Sequence, residues 1–175
     1  MIYRRITIAL ALAATSLVVA GLEAAPASAS TTICTWGGTP AAPTGLITFS
    51  QGVTNTPSTG PTQFMATGEL AGGGVCTGKL TFTGYIDPGN TCALGAPLHA
   101  KATGFPPIKQ VEAPYPGVAG STAVLLYDAH GNLVGTEQAE FLTAAATDPN
   151  DPGYTSCNTP EGLTRANWSD TLELF

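Results

Sequence analysis

From Lys79 to Ile86 the chain alternates in character residue by residue. Leu80, Phe82, Gly84 and Ile86 fall on one parity, and Lys79, Thr81, Thr83 and Tyr85 on the other. Successive side chains of an extended chain point to opposite faces, so this pattern describes a strand with one apolar and one polar face. Phe64, Ala66, Gly68 and Leu70 repeat the pattern against Met65, Thr67 and Glu69. Gly72-Gly73-Gly74 lies between the two runs. Glycine takes positive φ without steric cost, so the two runs predict a β-hairpin. A second hairpin is built from Ser121–Tyr127 and a returning strand over 133–143, joined by Asp128-Ala129-His130-Gly131-Asn132. Asp128 suits the first position of a type I turn, and Gly131 the left-handed position after it. Ser121–Tyr127 is apolar on both parities, which predicts a strand buried between two layers.

Weaker strand patterns occur at 32–36, 46–51, 98–105 and 164–174. Pro106-Pro107, Pro114-Tyr115-Pro116 and the stretch 148–153 read as loops. Glycine and proline are abundant, at 21 and 14 residues, and no window beyond the first thirty residues has helical periodicity. The expected fold is all-β: one antiparallel domain of about eight strands, a flattened barrel or a β-sandwich. Many inward positions are Ala or Gly, which lets the walls approach closely. A formal net charge of −6 with only 6 basic residues excludes a nucleic-acid binder, which needs a basic patch. A coiled coil is excluded by the scarcity of charged residues at helical period.

The first thirty residues set the compartment. Arg4 and Arg5 precede an apolar stretch over 6–22, and Ala27-Ser28-Ala29 offers small residues before a break. This layout predicts a signal peptide over residues 1–29, cleaved between Ala29 and Ser30, and a single secreted β-domain over 30–175. No second apolar stretch is long enough to span a membrane, so the mature chain is expected to be released outside the cell. Cys34, Cys76, Cys92 and Cys157 all lie in the exported part. An even number of cysteines outside the cytosol predicts two disulfides. Cys76 and Cys92 flank a strand of about ten residues, whose ends lie roughly 30 Å apart, whereas bridged Cα atoms must come within about 7 Å. That disfavours Cys76–Cys92. The first choice is Cys34–Cys76 with Cys92–Cys157, and the second is Cys34–Cys92 with Cys76–Cys157.

Several segments resemble a broad group of small secreted actinobacterial β-proteins with four cysteines and a Gly/Thr-rich composition. They are the run from Thr44 to Val53, Gly68-Glu69-Leu70-Ala71 through Cys76-Thr77-Gly78, Cys157-Asn158-Thr159-Pro160-Glu161-Gly162-Leu163, and Ala166-Asn167-Trp168-Ser169. The resemblance covers roughly residues 32–95 and 155–175 and rests on turns and strand ends. It implies compartment and fold, and it carries over no catalytic residue.

The candidate chemistry is sparse. His99 and His130 are the only histidines, and no Gly-x-Ser-x-Gly elbow accompanies them. Glu137 and Glu140 are three apart and face opposite sides of a regular strand, which does not suit the facing carboxylates of a glycosidase. Glu137 shares its parity with Leu133, Ala139 and Phe141, and an inward Glu in a barrel would mark a ligand site or a strained one. A bulge or edge exposure is its ordinary explanation. Asp128 reads as a turn cap. Asp148, Asn150 and Asp151 resemble part of a calcium loop, but Pro149 and Pro152 interrupt the ligand spacing. Trp36 and Trp168 could form a sugar-stacking platform. The parity of Trp168 with Ala166, Leu172 and Leu174 makes it core instead, and Trp36 shares a strand face with Cys34 and is expected against a disulfide. Asn167-Trp168-Ser169 fits a glycosylation sequon. Phe175 lacks the apolar register of an outer-membrane barrel terminus.

These readings predict no catalytic residue, no metal and no cofactor. The expected role is a non-catalytic binding or structural β-domain of the cell surface or medium. Its partner is left open between a cell-envelope component and a small apolar ligand, with no nucleic acid. The alternatives are a small secreted enzyme using Glu137 and His99 in a barrel interior, and a calycin-like carrier with an apolar cavity.

Overall fold

The computed structural model describes residues 30–115, 121–140 and 154–175. The expected signal peptide, the 148–151 calcium candidate and the continuation of the last hairpin past residue 140 lie outside the described residues. Among the described residues twelve strands run β1 (Thr32–Trp36), β2 (Gly38–Thr39), β3 (Ala42–Pro43), β4 (Gly45–Val53), β5 (Thr62–Ala71), β6 (Lys79–Ile86), β7 (Ala96–Thr103), β8 (Gln110–Tyr115), β9 (Ser121–Tyr127), β10 (Leu133–Glu140), β11 (Leu163–Trp168) and β12 (Asp170–Leu174). A 3₁₀ turn, Thr155–Asn158, precedes β11.

The strands form a closed antiparallel barrel of eight positions. β5 through β10 are sequential neighbours, each paired with the next. β1 and β4 share one position, since β1 pairs with the end of β5 (Trp36 opposite Leu70) and β4 with its beginning (Phe49 opposite Phe64). β11 and β12 share another, pairing with β4 and β1 respectively. β12 also pairs with β10 and so closes the ring. The small β2–β3 hairpin interrupts the composite β1/β4 strand and stands off it as an ear.

Where the composite strands change partner, the β1/β4 strand comes very close to both β11 and β5. A Cβ on Gly45 would lie 2.6 Å from the carbonyl oxygen of Trp168, and one on Gly68 would lie 2.8 Å from the Cα of Gly37. Real Cβ atoms do not approach backbone so closely, so only glycine fits there.

Period-two alternation decides which side chains fill the barrel. β5 buries Phe64, Ala66 and Leu70, β6 buries Leu80, Phe82 and Ile86, and β12 buries Leu172 and Leu174. Two disulfides staple the wall. Cys34–Cys76 ties β1 to the β5–β6 loop, and Cys92–Cys157 ties the β6–β7 loop to the 3₁₀ turn. Their Cα separations of 5.4 and 6.2 Å suit a bridge. The first-choice pairing is the one present. Around the second bridge, buried Asn90 donates through Nδ2 to the Ser58 hydroxyl at 2.8 Å and to the Asp87 carbonyl at 2.8 Å, pinning the loop that carries Cys92.

Four expectations change. The fold is the barrel, not the sandwich, so β9 is not sandwiched between layers. Its inner Val124 and Leu126 are buried, while Leu125 is 38 % exposed on the outer wall. Pro114-Tyr115 lies in β8 instead of breaking the chain, with Pro114 opposite Pro97. Antiparallel partners alternate between hydrogen-bonded and free pairs, and two prolines without N–H groups fit a free pair. A register shift between Leu133 and Gly135 moves Leu133 to the outside, where it is exposed, so it does not share the face of Glu137. Finally, the sequence pattern at 164–174 is not one strand but two, joined at Ser169.

Candidate functional site

Two places gather chemistry, one inside the barrel and one on its outer wall. Inside, Glu137 is 3 % exposed and Asp170 is 6 % exposed. Glu137 is on β10 directly opposite Leu172 of β12, and Asp170 is two residues before Leu172 on the same inward face. The two carboxyl groups lie within hydrogen-bonding reach of each other. Burial first, then the Asp170 charge and its hydrogen bond, hold the Glu137 carboxyl well above the ordinary glutamate value. Bulge or edge exposure does not explain Glu137; it is a buried acid. Its Oε2 makes no hydrogen bond, and neither do the buried Trp168 Nε1 and Ser169 Oγ.

The tryptophans wall this region. Trp36 lies opposite Asp170 across β1–β12. Its ring packs edge-on against Trp168 at 4.0 Å and, tilted by 56°, against Phe82 at 4.4 Å. The Trp36 Nε1–H donates to the carbonyls of Gly68 (3.0 Å) and Leu80 (3.1 Å). Both tryptophans are 1 % exposed, so they form no sugar platform. The ring partners of Trp36 are aromatic, where a disulfide was expected.

Outside, one register row runs Tyr85, His99, Glu112 across β6, β7 and β8. The next row runs Thr83, Lys101, Gln110. These side chains line a shallow depression of about 280 Å³ whose floor is the backbone near Gly84, Ala100 and Val111. The Tyr85 and His99 rings lie 5.2 Å apart, tilted by 36°. His99 Nε2 stands 3.7 Å from Asp87 Oδ2, with both side chains over a third exposed. Such an exposed pair contributes little stability, at most about 1 kcal/mol.

The remaining candidates are dispersed. His99 and Glu137 lie on opposite faces of the wall and do not form one site. His130 is exposed in the β9–β10 turn. Asp128 caps that turn: its Oδ1 accepts from the backbone N–H of His130 (2.8 Å) and of Asn132 (2.9 Å), and its Oδ2 from Asn132 Nδ2 (2.9 Å). Those bonds, led by that from the Asn132 side chain, lower the Asp128 pKa. Phe175 is exposed at the end of the chain. Among the described residues no three His, Cys, Asp or Glu side chains could hold a metal together, and no helix is long and apolar enough to cross a membrane.

Asp170 is the residue that pattern reading passed over. It has the parity of Ala166, Trp168, Leu172 and Leu174, the same face on which Trp168 was placed in the core, so its burial was legible there. Comparison with family models, curated proteins and solved structures finds no match to this chain.

Proposed function

We propose that the protein is an exported, non-catalytic binding module that attaches to a glycan of the cell envelope through the outer-wall face around Tyr85 and His99. The observation that carries this reading is the placement of the accessible chemistry. An exposed aromatic pair is bordered by an acid, a base, an amide and a hydroxyl, all on one rigid sheet face. Aromatic rings offer a flat apolar surface with a polar tip, suited to the face of a sugar ring, and the surrounding groups can both donate and accept hydrogen bonds. The two disulfides fit an oxidising compartment and stiffen the module there. An enzyme pairing Glu137 with His99 draws no support from the geometry, because the barrel wall separates them. A carrier role is less supported, since Trp36, Phe82 and Trp168 fill the interior at the end where β1 meets β12.

The test is sedimentation of the protein with purified envelope polysaccharide, followed by titration calorimetry. Tyr85→Ala should weaken binding roughly tenfold, because one ring contact is worth about 1.5 kcal/mol. Its stability should stay within about 0.5 kcal/mol of wild type, as for other exposed positions. Wild-type protein that stays in the supernatant, or a Tyr85→Ala variant that binds as well as wild type, would overturn the reading.

A further inference from the structure

The ear formed by β2 and β3 adds nothing to the core. Thr39, Pro40, Ala41 and Ala42 are all exposed, and Gly38 and Pro43 are half-buried. Ordering such a segment costs conformational entropy that burial does not offset. The ear is nonetheless fixed at its base. Gly37 donates its N–H to the Glu69 carbonyl at 3.0 Å, and its own carbonyl accepts from the N–H groups of Thr44 (2.7 Å) and Gly45 (2.9 Å). Gly38, Thr39 and Pro40 form one side of a pocket of about 230 Å³, and the outer wall of β1, β12 and β10 forms the other. The wall side is one register row, with Thr35 opposite Thr171 and Thr171 opposite Gln138. Ser169, at the joint of β11 and β12, completes it. Hydroxyl and amide groups dominate this lining. Thr35 Oγ1 donates to the Ala71 carbonyl at 3.2 Å, which leaves its lone pairs to accept. Thr39 Oγ1 accepts from the Ala42 N–H at 3.2 Å, which leaves its own O–H to donate. Ser169 Oγ is buried and makes no hydrogen bond among the described residues.

We propose that the pocket under the ear binds one uncharged sugar ring, either a free monosaccharide or the end or branch of a glycan. Its volume lies below the roughly 300–1,000 Å³ of sites for drug-sized ligands, so it admits a single ring and not a stretch of chain. Residues directly opposite on antiparallel strands stand about 5 Å apart. Thr35, Thr171 and Gln138 therefore offer a hydroxyl, a hydroxyl and an amide in line, groups that donate and accept at close spacing. A ring bearing neighbouring hydroxyls answers such a row, and Pro40 adds an apolar edge for its C–H groups. Among the described residues that line the pocket there is no cation to hold a phosphate or carboxylate, and the one acid there, Asp170, would repel either. The lining has no histidine or cysteine, so the site binds without reacting. It does not rest on the Tyr85–His99 face. In the ring of eight positions β8, β9 and β10 separate β7 from β12 one way, and β6, β5 and the β1/β4 strand separate them the other way. The two faces occupy opposite walls of the barrel.

Amide NMR spectra of the protein, titrated separately with glucose, galactose, mannose and N-acetylglucosamine, test the site. At least one sugar should move the amide signals of Thr35, Thr39, Gln138 and Thr171 to saturation, in the millimolar range expected for so small a ligand. Glucuronate, which is glucose with a carboxylate, should leave them in place. Thr171→Val keeps the side-chain shape and removes the hydroxyl, and should weaken binding about fivefold, the worth of one hydrogen bond. Gln138→Ala should act in the same direction. Thr171 and Gln138 are exposed, so both variants should fold like wild type. Tyr85→Ala, on the opposite wall, should leave these shifts at wild-type affinity. The same shifts on adding envelope polysaccharide would identify a chain end or branch as the source, and shifts with the monosaccharide alone would identify the free sugar. No saturable shift at these residues with any of the sugars would overturn the proposal. Equal shifts with glucuronate would do so too, as would wild-type affinity in both pocket variants.

Discussion

Trp36 shows how much one side chain can hold. Its ring touches the aromatic rings of β6 and β11, and its single N–H answers carbonyls on β5 and β6. The ring has room because Gly68 has no side chain; a Cβ there would lie 3.0 Å from Trp36 Nε1. Trp36→Phe removes the donor and part of the volume while leaving two carbonyls in a dry site. We expect it to cost about 2–4 kcal/mol, read as a lower midpoint in urea denaturation. A loss below about 0.5 kcal/mol, the range of an ordinary surface change, would show that neither bond matters. At this scale the sequence was legible wherever parity was unbroken. Trp168 belongs to the core by the parity of its neighbours, and Asp128 to the turn by its residue type. Glu137 was harder, because the bulge at Leu133–Gly135 shifts the parity from which its face was judged.

Elements were legible in proportion to the strength of their alternation. β6 lies where its pattern predicts, and β1 spans the predicted 32–36. β8 was hidden by its proline, which a strand accepts only where no ladder hydrogen bond is needed. β2 and β3 have two residues each, too few to show any period. The disulfides act between elements. They close loops with sequence separations of 42 and 65 residues. Chain-entropy arithmetic gives each about 4 kcal/mol, with the longer loop ahead by a few tenths. Replacing Cys92 and Cys157 together by Ala should thus lower stability at least as much as replacing Cys34 and Cys76, measured by denaturant unfolding of each double variant. The reverse order by more than about 1 kcal/mol would mean that native-state strain or residual structure outweighs loop closure.

At the scale of the molecule, closure is the decisive fact. The sequential pairs from β5 to β10 could equally form an open sheet. The β1–β12 pairing, between opposite ends of the described chain, converts that sheet into a barrel without edges. Ending the chain after Trp168 would remove β12 and bare the backbone of both β1 and β10. We expect such a protein to associate through these edges, eluting as oligomers in size-exclusion chromatography where the full chain elutes as a smaller species; a truncated form that elutes like the full chain would show that closure does not protect it. By itself the sequence determined the all-β class, most strand positions, the turn at Asp128 and the exclusion of a Cys76–Cys92 bridge. Each of these follows from local alternation, turn chemistry or the reach of an extended chain. Only the tertiary structure decided between barrel and sandwich, between the two remaining cysteine pairings, the union of β1 with β4 and of β11 with β12, and the meeting of Glu137 with Asp170. Those depend on which distant strands become neighbours. Alternation carries no such information, because a strand with one apolar face satisfies it equally well in a closed wall or in one of two stacked sheets.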